Sequence, residues 1–166
     1  MPDAPDIPRP SQLWKHLDPN RRRQAAVAFW HDDNAANEQA EVIGVIAQRI
    51  KFRLKSVITM PVEKKAQQLI SLPGVSEIVA ARLLVTYHLA HQRPMMGTFL
   101  DALGVTHEDG IIANEEMKPP APDALKKAAK AIAASYPADD VSLYLSTLMW
   151  QDSEAWGALA EFARVS

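Results

Sequence analysis

Apolar side chains recur at three- and four-residue steps along most of the chain, which is the period of an amphipathic α-helix. The longest such run predicts a central helix of more than about 20 residues, with apolar positions Val42, Ile43, Ile46, Ile50, Leu54 and Val57. Residues 50–55 also alternate with a period of two, as a strand would. We favour the helix, because an isolated strand would have no pairing partner elsewhere in the chain.

Capping and breaking residues mark the ends of the other helices. Asp18-Pro19 supplies an N-cap and a proline at the first helical position. Pro61 fits the first turn of a helix over 62–71. Ser76 is placed to cap a helix that ends near Gln92. Gly104 is suited to end a helix over 95–103. Three more helices are predicted over 123–135, 139–150 and 153–165, after an irregular segment at 106–122.

These elements predict an all-α fold of about seven or eight helices, with a long central helix and a tight αα-hairpin at 72–76. Residues 1–10 contain four prolines and are expected to form an extended or disordered arm. Residues 11–166 are expected to form a single all-helical domain. Its predicted core contains Trp14, Phe29, Trp30, Ile46, Ile50, Leu69, Leu83, Leu84, Leu100, Tyr144, Leu148 and Trp156.

Composition narrows the chemistry that the chain can perform. The sequence has no cysteine, which excludes disulfides, thiol catalysis and cysteine-ligated metals. We find neither a signal peptide nor an apolar run long enough for a membrane span, so a cytoplasmic protein without membrane association is expected.

The formal net charge is only −2, but charge is unevenly distributed. Residues 49–65 carry six cations against the single carboxylate of Glu63, whereas residues 139–161 carry acidic side chains and no basic ones. This asymmetry is typical of a basic binding face, and equally of two oppositely charged segments packed side by side.

The segment 66–84 contains Leu72-Pro73-Gly74-Val75-Ser76, followed by the helix that begins near Glu77. It resembles the helix-hairpin-helix motif of DNA repair and replication proteins. The resemblance implies that backbone N–H groups at the start of the second helix contact a phosphate without reading bases. Two residues depart from the motif, because Ser76 replaces its second glycine and the carboxylate of Glu77 can compete with phosphate for the same N–H groups. The alternative is a tight αα-hairpin used for packing alone.

If nucleic acid is the partner, the contacts expected around the hairpin come from Gly74, Ser76, Lys64, Lys65 and Arg82, with Arg49, Arg53 and Lys55 supplied by the central helix. Phe52 is the one aromatic residue in this basic stretch. The helical periodicity directs it inward, so base stacking is not expected.

Two other groups of polar residues have the composition of a chemical site. His88 and His91 lie three residues apart on one predicted helix and could share a metal, with His107 and Asp101 as conceivable further ligands, but no metal-binding spacing is present. His31, Asp32, Asp33 and Glu38 bring an imidazole near carboxylates. Helix capping explains those residues as well, and no catalytic motif occurs in the sequence.

We therefore predict a non-catalytic cytosolic protein without a cofactor, which acts through a protein partner or as a homo-oligomer. Weak, sequence-independent nucleic-acid binding through the hairpin is the alternative. A metal-dependent or acid–base enzyme is the third hypothesis.

Overall fold

A computed structural model of the chain describes residues 8–112 and 120–160. Within these ranges the chain forms ten α-helices, two 3-10 turns and one short two-stranded ribbon, which confirms the all-α fold. The ten helices exceed the predicted seven or eight, in part because the predicted central helix is divided. The helices group into two compact units, one over Pro10–Ala90 and one over the described residues from His91 onward. A single domain over 11–166 stays a prediction.

The first unit is built from six helices, and its bounds show the predicted hairpin. They are α1 Pro10–His16, α2 Pro19–His31, α3 Ala36–Ile50, α4 Leu54–Ile58, α5 Val62–Ser71 and α6 Glu77–His91, with a 3-10 turn at Asp33–Ala35. The connection 72–76 between α5 and α6 matches the predicted tight αα-hairpin. Of the predicted proline-rich arm, residues 1–7 lie outside the described residues, while Pro10 is buried and already begins α1.

Helix α2 begins where the sequence predicts. The carboxylate of Asp18 accepts a hydrogen bond from the backbone N–H of Arg21 at 3.1 Å and another from the Arg21 guanidinium at 2.8 Å. The bonds to this charged form hold the pKa of the Asp18 carboxyl below its ordinary value. Pro19 follows at the first helical position, so the capping prediction is confirmed.

The predicted core residues of the first unit are buried, with one exception. Phe29 is fully buried and packs edge-on against Trp30, their ring centroids 5.1 Å apart, where α2 packs on α5. Ile50 is only half-buried, because α3 ends at this residue.

The prediction of one continuous helix through residues 42–57 is wrong. Lys51 adopts the left-handed conformation, with φ 57° and ψ 40°, and α3 ends at the residue before it. The N–H of Phe52 then donates to the carbonyl of Ala47 at 3.0 Å, which is the six-to-one bond of a Schellman C-cap. After two further residues α4 begins, and its buried Val57 continues the apolar periodicity that suggested a single helix.

The second unit contains four α-helices and the ribbon. They are α7 Arg93–Leu103, β1 His107–Glu108, β2 Ile111–Ile112, α8 Pro122–Ser135, α9 Ala138–Gln151 and α10 Ser153–Trp156, with a 3-10 turn at Gly157–Leu159. Its core includes Phe99, whose ring centroid lies 5.5 Å from that of Tyr144 and 6.1 Å from that of Trp156. Burial raises the pKa of the Tyr144 phenol.

Two predictions for this unit need correction. The antiparallel ribbon, with His107 opposite Ile112, occupies part of the segment predicted to be irregular, and residues 113–119 lie outside the described residues. The predicted helix over 153–165 is instead a single α-helical turn followed by a 3-10 turn, as far as Ala160. Gly104, by contrast, ends α7 in the left-handed conformation as predicted.

Candidate functional site

The hairpin between α5 and α6 lies at the surface. Leu72 is buried and anchors it, whereas Pro73, Gly74 and Ser76 are exposed. The hydroxyl of Ser76 accepts a hydrogen bond from the N–H of Val79 at 3.2 Å, so Ser76 caps α6. The N–H groups of Ser76 and Glu77 have no hydrogen-bond acceptor within residues 8–112 and 120–160.

Carboxylates lie close to this end of α6. The Ser76 hydroxyl donates to the carboxylate of Glu41 at 2.6 Å, and Glu77 accepts hydrogen bonds from both the N–H and the hydroxyl of Ser11 at the start of α1. Glu77 therefore does not occupy the N–H groups of its own helix, as the sequence suggested it could. Its negative charge and that of Glu41 still oppose the approach of a phosphate.

Two of the predicted nucleic-acid contacts have partners inside the unit. Nζ of Lys65 lies 4.9 Å from the ring centroid of Trp30, a cation–π contact, and Arg82 Nε lies 3.5 Å from a carboxylate oxygen of Glu38. The Arg82 side chain keeps 33% of its surface exposed and that of Glu38 only 13%, so this ion pair is partly shielded from water. Lys65 and Arg82 thus have structural roles that the sequence did not indicate.

Arg49 is the predicted basic contact that lies next to the hairpin glycine. It lines an open surface groove of about 610 Å³ together with Val45, Gln48, Leu72, Pro73 and Gly74. Val45, Gln48 and Arg49 share one face of α3, since they are spaced three and four residues apart. The groove brings one cation, one glycine and apolar walls together, whereas Lys64 is exposed on α5.

Phe52 is exposed, which corrects the prediction that it points inward. The left-handed turn at Lys51 rotates the chain out of helix register, and Phe52 is 53% exposed to solvent. Leu54 and Ile58 are similarly exposed, at 57% and 54%. We call residues 49–58 the basic–apolar surface, because their exposed side chains include these three apolar residues and Arg49, Lys51, Arg53 and Lys55. Sequence reasoning missed its apolar component, because the exposure of these side chains depends on the end of α3 at Ile50.

The structure does not assemble the considered metal site. The Nδ1–H of buried His88 donates to the carbonyl of Leu84 at 2.7 Å, within its own helix. In the second unit, His107 instead bonds through Nε2 to the carboxylate of Asp101 at 2.7 Å and through Nδ1 to the N–H of Gly110 at 3.0 Å. Among the described residues, no group of three or more potential ligands could hold a metal ion.

Two of the acidic residues near His31, Asp32 and Glu38, have structural partners. The carboxylate of Asp32 accepts from the N–H of Asn34 at 2.9 Å, and Glu38 pairs with Arg82. The side-chain amide of Gln39 donates to the carbonyls of Phe29 and Asp32, which secures the turn between α2 and α3. Capping thus accounts for Asp32 and pairing with Arg82 for Glu38.

No family model, curated protein or solved structure matches this chain. None of the helices in the described ranges is both long and apolar enough to cross a lipid bilayer.

Proposed function

We propose that this chain is a non-catalytic, cytoplasmic protein-binding module, and that its contact surface is the basic–apolar surface at residues 49–58. The observation that carries the proposal is the exposure of Phe52, Leu54 and Ile58, each by more than half, within seven residues. An exposed apolar patch is a typical mark of a protein interaction site, and these three side chains are close enough in the chain to form one. Aromatic and arginine side chains, here Phe52 and Arg53, are also the types enriched in such interfaces.

Site-specific photo-crosslinking in the source cells tests this proposal. A benzophenone amino acid at position 52 is expected to yield discrete protein adducts, identified by mass spectrometry. The matched control carries the same group at Ile78, which is 67% exposed in the same unit but lies outside the basic–apolar surface. The adducts should disappear when Arg53 and Lys55 are both changed to Glu. The same adducts from both crosslinker positions would contradict the proposal.

A second candidate is sequence-independent contact with nucleic-acid phosphates through the helix-hairpin-helix-like turn. It is supported by the exposure of Gly74 and Ser76 and by the groove that brings Arg49 beside Gly74. The exposed ring of Phe52 adds a group that can stack on a base. The carboxylates of Glu41 and Glu77 weigh against it, which is why it stands second.

Fluorescence anisotropy with labelled single- and double-stranded DNA tests the second candidate. Binding should weaken with salt, and Arg49→Glu or Lys64→Glu should lower both the affinity and the salt slope, since each removes about one phosphate contact. Lys130→Glu is the control, because this exposed lysine lies on α8 in the other unit. Binding that does not respond to salt, or that responds equally to all three variants, would exclude the hairpin as a phosphate site.

A further inference from the structure

The apolar part of the basic–apolar surface has a defined arrangement. Leu54 and Ile58 stand four residues apart on α4 and each is more than half exposed, whereas Val57, which lies between them in the chain, is fully buried. Phe52 is in the turn that leads into α4. Within this single-turn helix the unit buries Val57 in its own core and leaves Leu54 and Ile58 more than half exposed.

The charged residues of this surface all carry the same sign of charge. Arg49, Lys51, Arg53 and Lys55 are exposed, and none has an acidic partner among the residues that the structure describes. Such a surface attracts a negatively charged partner and repels a positive one. A symmetric dimer through it would bring the same four cations face to face, which disfavours a second copy of this chain as the occupant.

We infer that the occupant of the basic–apolar surface is an acidic amphipathic helix of another protein, with its apolar residues on Phe52, Leu54 and Ile58 and its carboxylates on the four cations. This inference rests on the proposed function and adds the chemistry of the partner. An amphipathic helix presents apolar residues at three- and four-residue spacing, which suits the spacing of Leu54 and Ile58. Two of the three apolar residues are aliphatic and gain from burial against apolar side chains rather than from base stacking.

The first test measures binding of two designed peptides by fluorescence anisotropy. Both are amphipathic helices of about 18 residues with a leucine face, bordered by Glu in one peptide and by Lys in the other. The 166-residue chain should bind the Glu-bordered peptide at least about tenfold more tightly, because four surface cations each favour it modestly. The preference should shrink in high salt, where exposed charges are screened.

Substitutions assign the binding to this surface. Phe52→Ser and Leu54→Ser should each weaken binding of the Glu-bordered peptide, whereas Ile78→Ser should not, since that side chain is equally apolar and exposed outside the surface. The double change Arg53→Glu with Lys55→Glu should reverse the preference, so that the Lys-bordered peptide binds more tightly. A gain of binding by the reversed surface cannot result from misfolding.

Several results would overturn the inference. Equal affinity for the two peptides, or no response to Phe52→Ser, would show that this surface does not select an acidic helix. Tighter binding of an oligothymidylate, or of phosphatidylserine–phosphatidylcholine vesicles, through the same residues would assign the surface to nucleic acid or to lipid. Protein adducts at position 52 without a peptide preference would leave the proposed function standing and remove only this inference, whereas loss of both would remove both.

Discussion

The turn of the β-ribbon gives the sharpest test of how the second unit is packed. Asp109 and Gly110 form a two-residue turn in which both have positive φ, 48° and 87°, as a type I′ hairpin requires. A Cβ built on Gly110 would lie 2.7 Å from Cβ of Met96 and 3.2 Å from the carbonyl oxygen of Arg93, both on α7. Carbon atoms in contact normally stand about 3.5–4.0 Å apart, so Gly110→Ala forces the turn away from α7.

Gly104 separates the effect of conformation from that of contact. Its φ is 72°, so Gly104→Ala carries the same left-handed penalty, but a Cβ there would meet nothing within 4 Å. We expect Gly104→Ala to cost about 1–2 kcal/mol of unfolding free energy. Gly110→Ala should cost about 1–3 kcal/mol more, because the clash involves a Cβ and a backbone atom that cannot swing aside.

Equilibrium unfolding in urea, followed by far-UV circular dichroism, measures both losses. Asparagine provides the control, because it tolerates the left-handed conformation better than alanine does. Gly104→Asn should recover most of the loss seen with Gly104→Ala, while Gly110→Asn should recover little. If Gly110→Ala costs no more than Gly104→Ala, then the turn does not pack on α7 as described.

Three further changes test local features of the first unit. Asp18→Ala should lower the free energy of unfolding by about 1 kcal/mol at neutral pH. Because the pKa of this carboxyl is lowered in the folded state, the loss should be full above pH about 4 and should fade as acid protonates the cap. Urea unfolding at a series of pH values measures this. Gly44→Ala should raise the free energy of unfolding by about 0.5–1 kcal/mol, since Gly44 is inside α3 and a Cβ there meets nothing within 4 Å. A lower melting temperature of this variant would contradict the prediction. Arg82→Ala should lower the free energy of unfolding by about 1–2 kcal/mol, because it leaves the shielded carboxylate of Glu38 without its partner. Arg53→Ala is the control, and it should change the free energy of unfolding little because Arg53 is exposed.

Helix boundaries set by local chemistry could be predicted from the sequence. Asp18-Pro19 and Gly104 act through their own backbone and side chains, so the helix ends that they set can be predicted without knowledge of the tertiary structure. The Asp109-Gly110 pair is also a recognised hairpin signal, and it could have predicted the β-ribbon. The break at Lys51 carried no such signal, because lysine is not a residue that favours the left-handed conformation.

The candidate site was predictable in composition but not in arrangement. The sequence located the basic residues, yet it could not show that Trp30 contacts Lys65 or that Glu38 pairs with Arg82, since these partners are distant along the chain. The exposure of Phe52 likewise depends on where α3 ends. Which cations are available to a partner is thus a tertiary property.

The hydrogen bonds from Ser11 to Glu77 have a consequence for synthesis on the ribosome. They join residues 66 positions apart, and Glu77 is the first residue of α6. At roughly 5–20 residues per second, the ribosome needs about 3–13 s after α1 emerges before this acceptor follows it. Throughout that interval α1 lacks its hydrogen bonds to α6, and this part of the nascent chain is open to chaperones and proteases.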